Sequence, residues 1–575
     1  MATNDITTTG IPSTTNPTSD DPTLYPYNLG PFTRPITTPS PSAQTWFNNG
    51  LTWTYAFHHE ESARCFLSGL THDPTAPMLY WGLAYTLGPN YNKPWDMFDD
   101  ADLSRTLNRI RAAITAAKDY SANATEVERA LIDAIQPRVP ETLDEESYRA
   151  CNEAYAAAMA DVYARFPGDL DVAALYADAL MNMSAWDLWD LRTGKPTPGA
   201  RSEEAKAVLE AAFEGDREGA MGHPGLLHLY VHLMEMSRTP EAAVEAGNAL
   251  RGLCPDAGHL VHMPSHLDIL VGDYKAAVKA NADAIVADEK FVARHGGSNF
   301  YTFYRLHDYH SLIYAAMFAG KYGVCMEYVE GMEKSVPEEL LRIESPPMAD
   351  WSESWVSVRV HVLVRFGKWE ELLKLEFPED KELYSVTTAM YHYGKGVAYA
   401  ATGRVDEAQK ERDLLYEAVP RVQPSRIAGD FPNKAVVVLE VAKAMLDGEL
   451  EYRRGNYSDA FRHLETAIER DDGLVYAEPW PWMQPVRHAY GALLLEQGRV
   501  EEAESAFKAD LGFDDTLPRA RQHPNNVWAL HGYLECLEKT GKEEEAGKIR
   551  EQLEAAQLEA DEPVKASCFC RTVSN

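Results

Sequence analysis

The chain has 575 residues, of which 45% are hydrophobic and 25% charged, and its formal net charge is −34. The composition is typical of a soluble globular protein, and the charge argues against a nucleic-acid surface, which needs Lys and Arg to neutralise phosphates. The 7 cysteines follow no framework spacing, no signal peptide is visible and no apolar run is long enough for a membrane span, so we expect a reduced, cytoplasmic setting.

The first 200 residues are less regular than the rest of the chain. Residues 1–40 are rich in Thr, Ser, Pro and Asn without apolar periodicity, and we predict that they are disordered or draped over the folded body. Residues 41–200 are predicted to form helical repeats with two inserted loops, GPNYNKPWDMFDD at 88–100 and MNMSAWDLWDLRTGKPTPG at 181–199. Long loops in a repeat protein are often functional.

Residues 201–556 show a regular pattern of paired helices. Segments such as YSDAFRHLETAIER carry apolar residues at helical spacing with charged residues opposite, which predicts amphipathic helices. Glycine stands in the short turns between them, where a helix must stop. We therefore predict an all-α fold. The polar segment 557–575 is predicted to be a flexible tail.

Histidines recur in register with these turns. The segments HLYVHLMEMSRTPEAAVEA and HMPSHLDILVGDYKAAVKA coincide, histidines included, when one is shifted by about 34 residues onto the other, the length of a tetratricopeptide repeat. Ten of the 18 histidines stand ten, six or thirteen residues before a turn residue. They are His228, His232, His259, His262, His266, His307, His310, His361, His488 and His531.

Offsets of three, four and seven residues share one helix face, so we predict that equivalent positions in stacked repeats bring these imidazoles onto one surface. Pro264 lies between His262 and His266. Because proline is tolerated in the first turn of a helix but not inside it, we expect the helix to begin late or to kink there.

The first repeat carries Trp46, Gly50, Phe66 and Pro74 at the spacing of the tetratricopeptide repeat, which this chain resembles from about Trp46 to about Ala556. The strings FHHEESARCF, HPGLLHLYVHLME, GHLVHMPSHLDILVGDY and WPWMQPVRHAYGALLLEQGR are similar to a group of largely uncharacterised microbial and fungal tetratricopeptide proteins, with HMPSH as the most specific element. The resemblance implies a right-handed helical superhelix, an α-solenoid, with a concave cavity that the histidines would line.

Several imidazoles crowded in one cavity are costly unless they are hydrogen bonded or share a ligand. We therefore expect a divalent transition metal, with Cu, Fe and Zn all compatible with imidazole ligands. Hydrogen-bonded neutral histidines, or an organic anion held by several of them, are the alternatives. The metal-ligand candidates are His58, His228, His232, His259, His262, His266, His307, His310 and His488.

Three residues are candidates for catalytic roles. Glu235 stands three residues after His232 and could orient an imidazole; Tyr230 could place a phenol beside it, and Arg487 precedes His488. The chain has no GxSxG, HExxH or Walker motif, so we favour a metal-dependent enzyme, an oxidoreductase rather than a hydrolase, acting on a small molecule. The alternatives are a peptide- or protein-binding scaffold without catalysis, and a metal-dependent hydrolase or metal-binding protein. No nucleic-acid or membrane partner is expected, and a homodimer remains open.

Overall fold

A computed structural model describes residues 21–561 and 563–571, and every statement below concerns that part of the chain. These residues form α-helices joined by short 3-10 turns, with three isolated β-bridges and no strand among them. The predicted all-α helical-repeat fold is confirmed. None of the described helices is both long and apolar enough to cross a membrane. Residues 1–20, part of the segment 1–40 predicted to be disordered or draped over the body, lie outside the described residues, as do residues 562 and 572–575 of the predicted tail 557–575.

The described chain divides into two compact units. Unit 1 contains residues 21–267 and 283–305, and unit 2 contains residues 268–282 and 306–571 except 562. The helices of unit 1 are α1 (Pro41–Tyr55), α2 (His59–His72), α3 (Pro77–Thr86), α4 (Asp100–Asp119), α5 (Glu126–Ala134), α6 (Glu145–Arg165), α7 (Leu170–Met181), α8 (Ser202–Gly215), α9 (Arg217–Met221), α10 (Pro224–Glu235), α11 (Val244–Leu250) and α12 (Gly258–His262).

Three helices contribute residues to both units: α13 (Pro264–Val271), α14 (Tyr274–His295) and α15 (Thr302–Phe318). The helices of unit 2 are α16 (Tyr322–Lys334), α17 (Glu338–Leu341), α18 (Met348–Ser352), α19 (Val358–Arg365), α20 (Trp369–Lys374), α21 (Ser385–Ala401), α22 (Val405–Ala418), α23 (Ala435–Arg453), α24 (Tyr457–Asp472), α25 (Val486–Glu496), α26 (Val500–Leu511), α27 (Val527–Thr540) and α28 (Glu543–Gln557).

In each unit, the aromatic ring of one phenylalanine packs directly against two glycines on neighbouring helices. In unit 1 the ring of Phe66 lies so close to Gly50 and Gly82 that a Cβ at either glycine would be 2.7 or 2.5 Å from it. In unit 2 the ring of Phe507 lies in the same way between two glycines of neighbouring helices. Protein interiors are packed as densely as crystals of small organic molecules. Because glycine has no Cβ, the two helices that carry the glycines can come into contact with the aromatic ring of the helix between them.

The turn glycines adopt the conformation that the sequence predicts. Seven of them have φ between +62° and +79°, and the residue after each donates its N–H to the carbonyl oxygen five residues earlier, at 2.8–3.0 Å. This is the Schellman helix stop, which favours glycine because it carries no Cβ. The seven are Gly272, Gly320, Gly367, Gly403, Gly455, Gly498 and Gly541.

The predicted break at Pro264 is also present. Helix α12 ends at His262 and α13 begins at Pro264, with Met263 between them. Proline occupies the first position of the new helix, where its missing N–H leaves no hydrogen bond unmade.

Residues 21–40 pack against the helices of unit 1. Tyr27 and Leu29 are buried, and Arg34 bonds Asp169 and Asp171 at 2.7 Å each. Asp171 also accepts a 2.6 Å hydrogen bond from the hydroxyl of Tyr55, the last residue of α1. Residues 21–40 therefore help to fix the position of the end of α1, which lies beside the histidine site described below.

Candidate functional site

Five histidines of unit 1 form a closed ring of imidazoles. In the order His228, His232, His266, His262, His259 and back to His228, neighbouring ring centroids are 4.6–5.7 Å apart. All five side chains are buried, His266 being the most accessible at 7%. The structure thus brings together five of the nine histidines that the sequence predicts as metal ligands.

Helix α10 supplies two members of this ring. It begins with Pro224 at its first position, capped by the His223 side chain, and every one of its residues is buried. His228 and His232 are one turn apart on one face, with ring centroids at 4.8 Å. Spacing of four residues places both imidazoles side by side.

The end of helix α1 orients His228. The last carbonyl groups of a helix have no partner within it, and the carbonyl oxygen of Tyr55 lies 2.6 Å from His228 Nδ1. A carbonyl only accepts, so Nδ1 carries the proton and Nε2 presents a lone pair. That Nε2 faces His259 Nε2 at 3.1 Å.

Glu235, the last residue of α10, holds two imidazoles with one carboxylate. Its Oε1 lies 2.7 Å from His232 Nδ1, and its Oε2 accepts from His266 Nδ1. Glu235 is fully buried. A carboxylate on Nδ1 fixes the tautomer in which Nε2 carries the lone pair that a metal can bind, so His232 and His266 have the same tautomer as His228.

The break at Pro264 still leaves its two histidines together. His262 ends α12, His266 lies in the first turn of α13, and their Nε2 atoms are 2.5 Å apart. Ser265 Oγ lies 3.4 Å from His262 Nδ1.

Helix α12, which carries His259 and His262, begins at a glycine. A Cβ at Gly258 would lie 1.9 Å from Asp288 Oδ1, an atom that also accepts from Tyr301. A larger residue at Gly258 would therefore displace the helix start.

Aromatic side chains enclose the histidine ring. Phe57 stacks on His232, with centroids at 6.0 Å, and approaches His228 to 4.4 Å. Its φ of +56° is strained for a bulky residue, and the surrounding packing holds it there. Tyr304 lies edge-on to His259 at 4.8 Å. The histidine ring is therefore buried behind aromatic side chains.

Both predicted inserted loops contribute to this wall. Tyr91, from the loop at 88–100, is fully buried and lies 5.0 Å from the His232 ring and 5.7 Å from Trp186. Trp186 belongs to the loop at 181–199, as does Trp189, whose Nε1 donates to the Leu233 carbonyl on α10 at 2.7 Å. The long loops cover the cluster.

The ring has the composition of a metal site. One ligand nitrogen each of His228, His232 and His259 lies within 4.8 Å of the other two, an arrangement that could hold one ion once the side chains close slightly around it. Nitrogen ligands stand about 2.0–2.1 Å from zinc, so two on one ion are at most about 4.2 Å apart. Neutral imidazole nitrogens suit Zn, Cu, Fe and Ni.

Two other predicted residues of unit 1 lie outside the ring. His58 is stacked on Tyr301, with centroids at 3.7 Å, and is boxed by Trp53 and Phe291. Burial, and then the charge of Arg64, lower the pKa of His58 well below its usual range. Tyr230 points to the opposite side of α10 from His228, where its hydroxyl donates to Glu210 at 3.0 Å.

In unit 2, His307 and His310 share one carboxylate. Their Nδ1 atoms lie 3.1 and 2.8 Å from the two oxygens of Asp430. Burial alone would raise the pKa of Asp430, yet the two histidines lower it to about 2. Asp430 orients both imidazoles as Glu235 does in unit 1.

His488, also in unit 2, has both ring nitrogens engaged with protein groups. Arg365 Nη2 donates to Nδ1 at 2.7 Å, and Nε2 donates to Asp510 at 2.7 Å. Burial lowers the pKa of His488 to about 4. Arg487, the neighbouring residue, forms a bidentate ion pair with Asp472, in which Nη1 and Nη2 each lie 2.7 Å from a carboxylate oxygen.

Sequence reasoning missed the groups that orient the imidazoles. The Tyr55 carbonyl is 173 residues from His228, and Asp430 is 120 residues from His310. Neither stands in a repeat register. Phe57 carried a weak signal, because it adjoins the predicted His58.

No protein-family model matches the chain, and no curated protein matches it. Among solved structures it is similar to Ypp1 at 9% identity over 92% of this chain and 82% of that one, with a TM-score of 0.46. It is similar to yeast Tom70 at 12% identity over 90% and 89%, TM-score 0.27, and to an IFIT1 mutant solved with Gppp-AAAA at 11% over 89% and 90%, TM-score 0.30. At these values the likeness does not bear on function.

Proposed function

We propose that this protein is a metal-binding helical-repeat protein whose unit 1 holds a divalent transition metal ion through His228, His232 and His259. The repeats act as a rigid frame for the ligands. The carrying observation is that the nitrogens of three buried imidazoles lie within 4.8 Å of one another, two of them with Nδ1 bonded to a fixed acceptor.

The tautomers support this proposal. With Nδ1–H of His228 on the Tyr55 carbonyl and Nδ1–H of His232 on Glu235, both Nε2 lone pairs are directed into the ring of histidines. Lone pairs that converge in a buried place repel one another unless a proton or a metal lies between them. A neutral His259 can donate its Nε2–H to the lone pair of His228 without adding charge. Any further proton would bury positive charge, which is costly, whereas a metal binds the neutral form of all three imidazoles.

Glu235 favours binding over catalysis. Both of its carboxylate oxygens accept from imidazoles, so its role is to position ligands, and it is not placed as a general acid or base. Tyr230 and Arg487 are engaged with Glu210 and Asp472. We therefore propose metal binding as the function, and oxidoreductase activity on a small molecule remains a prediction from sequence alone.

We leave His58 and His488 out of the proposed ligands. His58 is enclosed by aromatic rings, and neither nitrogen of His488 has a lone pair to offer, because one accepts from Arg365 and the other donates to Asp510.

Metal content of protein purified without a histidine tag tests the proposal. After exposure to Zn, Cu, Fe and Mn salts and removal of loose ions, we expect at least one ion per chain by mass spectrometry. His228→Gln and His259→Gln should each lower that content, with helical content by circular dichroism unchanged.

The matched control is His223→Gln. His223 is equally buried in the same unit but bonds Asp171 at 3.2 Å and caps α10, so this variant should keep its metal. A wild-type chain that takes up none of the four metals would refute the proposal and favour a scaffold that binds a peptide or protein.

A further inference from the structure

The five-membered ring of imidazoles contains two separate pairs with facing nitrogens. His228 and His259 face each other through Nε2 atoms 3.1 Å apart, and His262 and His266 do so at 2.5 Å. His232 lies between the pairs, 4.8 Å from His228 and 5.5 Å from His266 by ring centroids. Five imidazoles are more than the four ligands of a tetrahedral site.

Glu235 links the two pairs. One of its oxygens accepts from His232, which belongs with His228 and His259, and the other accepts from His266. A single buried carboxylate thus orients one ligand on each side. Because the His266 proton is on Nδ1, its Nε2 offers a lone pair to the space that it shares with His262 Nε2.

We infer that unit 1 binds two transition metal ions: one at His228, His232 and His259, and a second at His262 and His266, with Glu235 as the positioning residue common to both. This inference rests on the proposed function and extends it to a dinuclear centre. Solvent or a bound ligand completes the second ion, which has two protein nitrogens from this unit. Imidazole ligands and the absence of a thiolate from the ring suit Zn²⁺, Cu²⁺ or Fe²⁺.

A cobalt titration counts the ions. Chelator-stripped protein is titrated with Co²⁺, followed by d–d absorption, and its metal content is measured after desalting. We expect two equivalents for the wild type, one for His262→Gln and one for His266→Gln, while His223→Gln keeps two. One equivalent in the wild type would overturn the second ion and leave the proposed function standing, with a shared proton between His262 and His266 instead. No uptake would overturn both.

Paramagnetic resonance of the Cu²⁺-loaded wild type gives a second measurement that does not depend on any variant folding. Two ions within one ring of imidazoles should couple and show a half-field transition. Two equivalents without any coupling would place the second ion elsewhere and contradict the inference.

Glu235→Gln tests the shared positioning role. A carboxamide has one acceptor oxygen and one donor nitrogen, so it can hold only one of the two imidazoles as Glu235 does. Loss of such an outer partner lowers metal affinity by roughly 10–100-fold, and we expect this loss at one or both cobalt steps. Unchanged affinity for both ions would show that Glu235 does not position their ligands.

Discussion

Replacing His488 by Gln should flatten the pH dependence of stability in mild acid. His488 Nδ1 accepts from Arg365, and the guanidinium is protonated over the pH range of the test and only donates. A proton on Nδ1 would therefore face another N–H. A glutamine side chain can accept from Arg365 with its oxygen and donate to Asp510 with its nitrogen, so His488→Gln keeps both contacts and removes only the titration.

The size of the effect follows from the pKa. The unfolded histidine has a pKa of about 6.5, and burial lowers that of folded His488 to about 4. The neutral form is the folded form, so the stabilisation is fully present above pH 6.5 and is lost as the pH falls toward 4. Each pH unit in this window costs about 1.4 kcal/mol, or roughly 2 kcal/mol between pH 6.5 and pH 5.

Urea unfolding at a series of pH values between 7.5 and 5 measures the difference. We expect the free energy of unfolding of the wild type to fall by about 2 kcal/mol more than that of His488→Gln. Every other ionisable group is common to both proteins, so its contribution cancels in the comparison. Asp510, whose pKa is lowered by His488 and His523 against the effect of burial, stays ionised throughout. Parallel curves would refute the reasoning, and loss of metal from this variant would return His488 to the ligand set.

Three further outcomes are expected. Gly532→Ala places a Cβ 2.3 Å from the Phe507 ring and should destabilise the protein by about 1–3 kcal/mol. Gly547→Ala adds a Cβ with no heavy atom within 4 Å and should stabilise the protein by about 0.5–1 kcal/mol. Urea unfolding measures both variants, and equal effects would contradict the packing argument. Phe57→Gly should lower the free energy of unfolding, because about 3–5 kcal/mol of packing energy is lost and only about 1 kcal/mol of backbone strain is relieved. This variant should also release metal faster to a competing chelator, and slower release would contradict the prediction. Removing metal should lower the thermal midpoint, since free ion at 100 times its Kd adds about 2.7 kcal/mol, and an unchanged midpoint would indicate that no ion binds the folded state.

The parts of this fold that were predictable from sequence are local or periodic. The turn at Gly272 and the break at Pro264 follow from backbone chemistry within a few residues. The register of about 34 residues placed His228 and His262 at equivalent positions, and stacking of repeats does bring them into one ring. Repeats convert short-range patterns into long-range proximity, which is why a cluster could be anticipated without any alignment.

The remaining features depend on contacts without a period. Tyr230 stands two residues from both His228 and His232, and a step of two residues turns about 200° around a helix, which places it against Glu210 instead of in the ring. Arg487 is adjacent to a predicted ligand in sequence but pairs with Asp472. Asp430 lies in the segment between α22 and α23, where no helical register applies, so nothing in the sequence links it to His310.

The Tyr55 carbonyl has a consequence for how the site would look in mutagenesis. The group that orients His228 belongs to the main chain, so substituting Tyr55 by any other residue leaves the oxygen in place as long as α1 ends where it does. In a scan of side-chain replacements, the effect of changing Tyr55 would be attributed to its packing and to its hydroxyl contact with Asp171. The same scan would readily identify Glu235. One of the groups that orient this cluster, the Tyr55 carbonyl, would therefore not be detected by alanine scanning. Only changes that move the helix end, such as insertions or backbone ester substitution, would expose it.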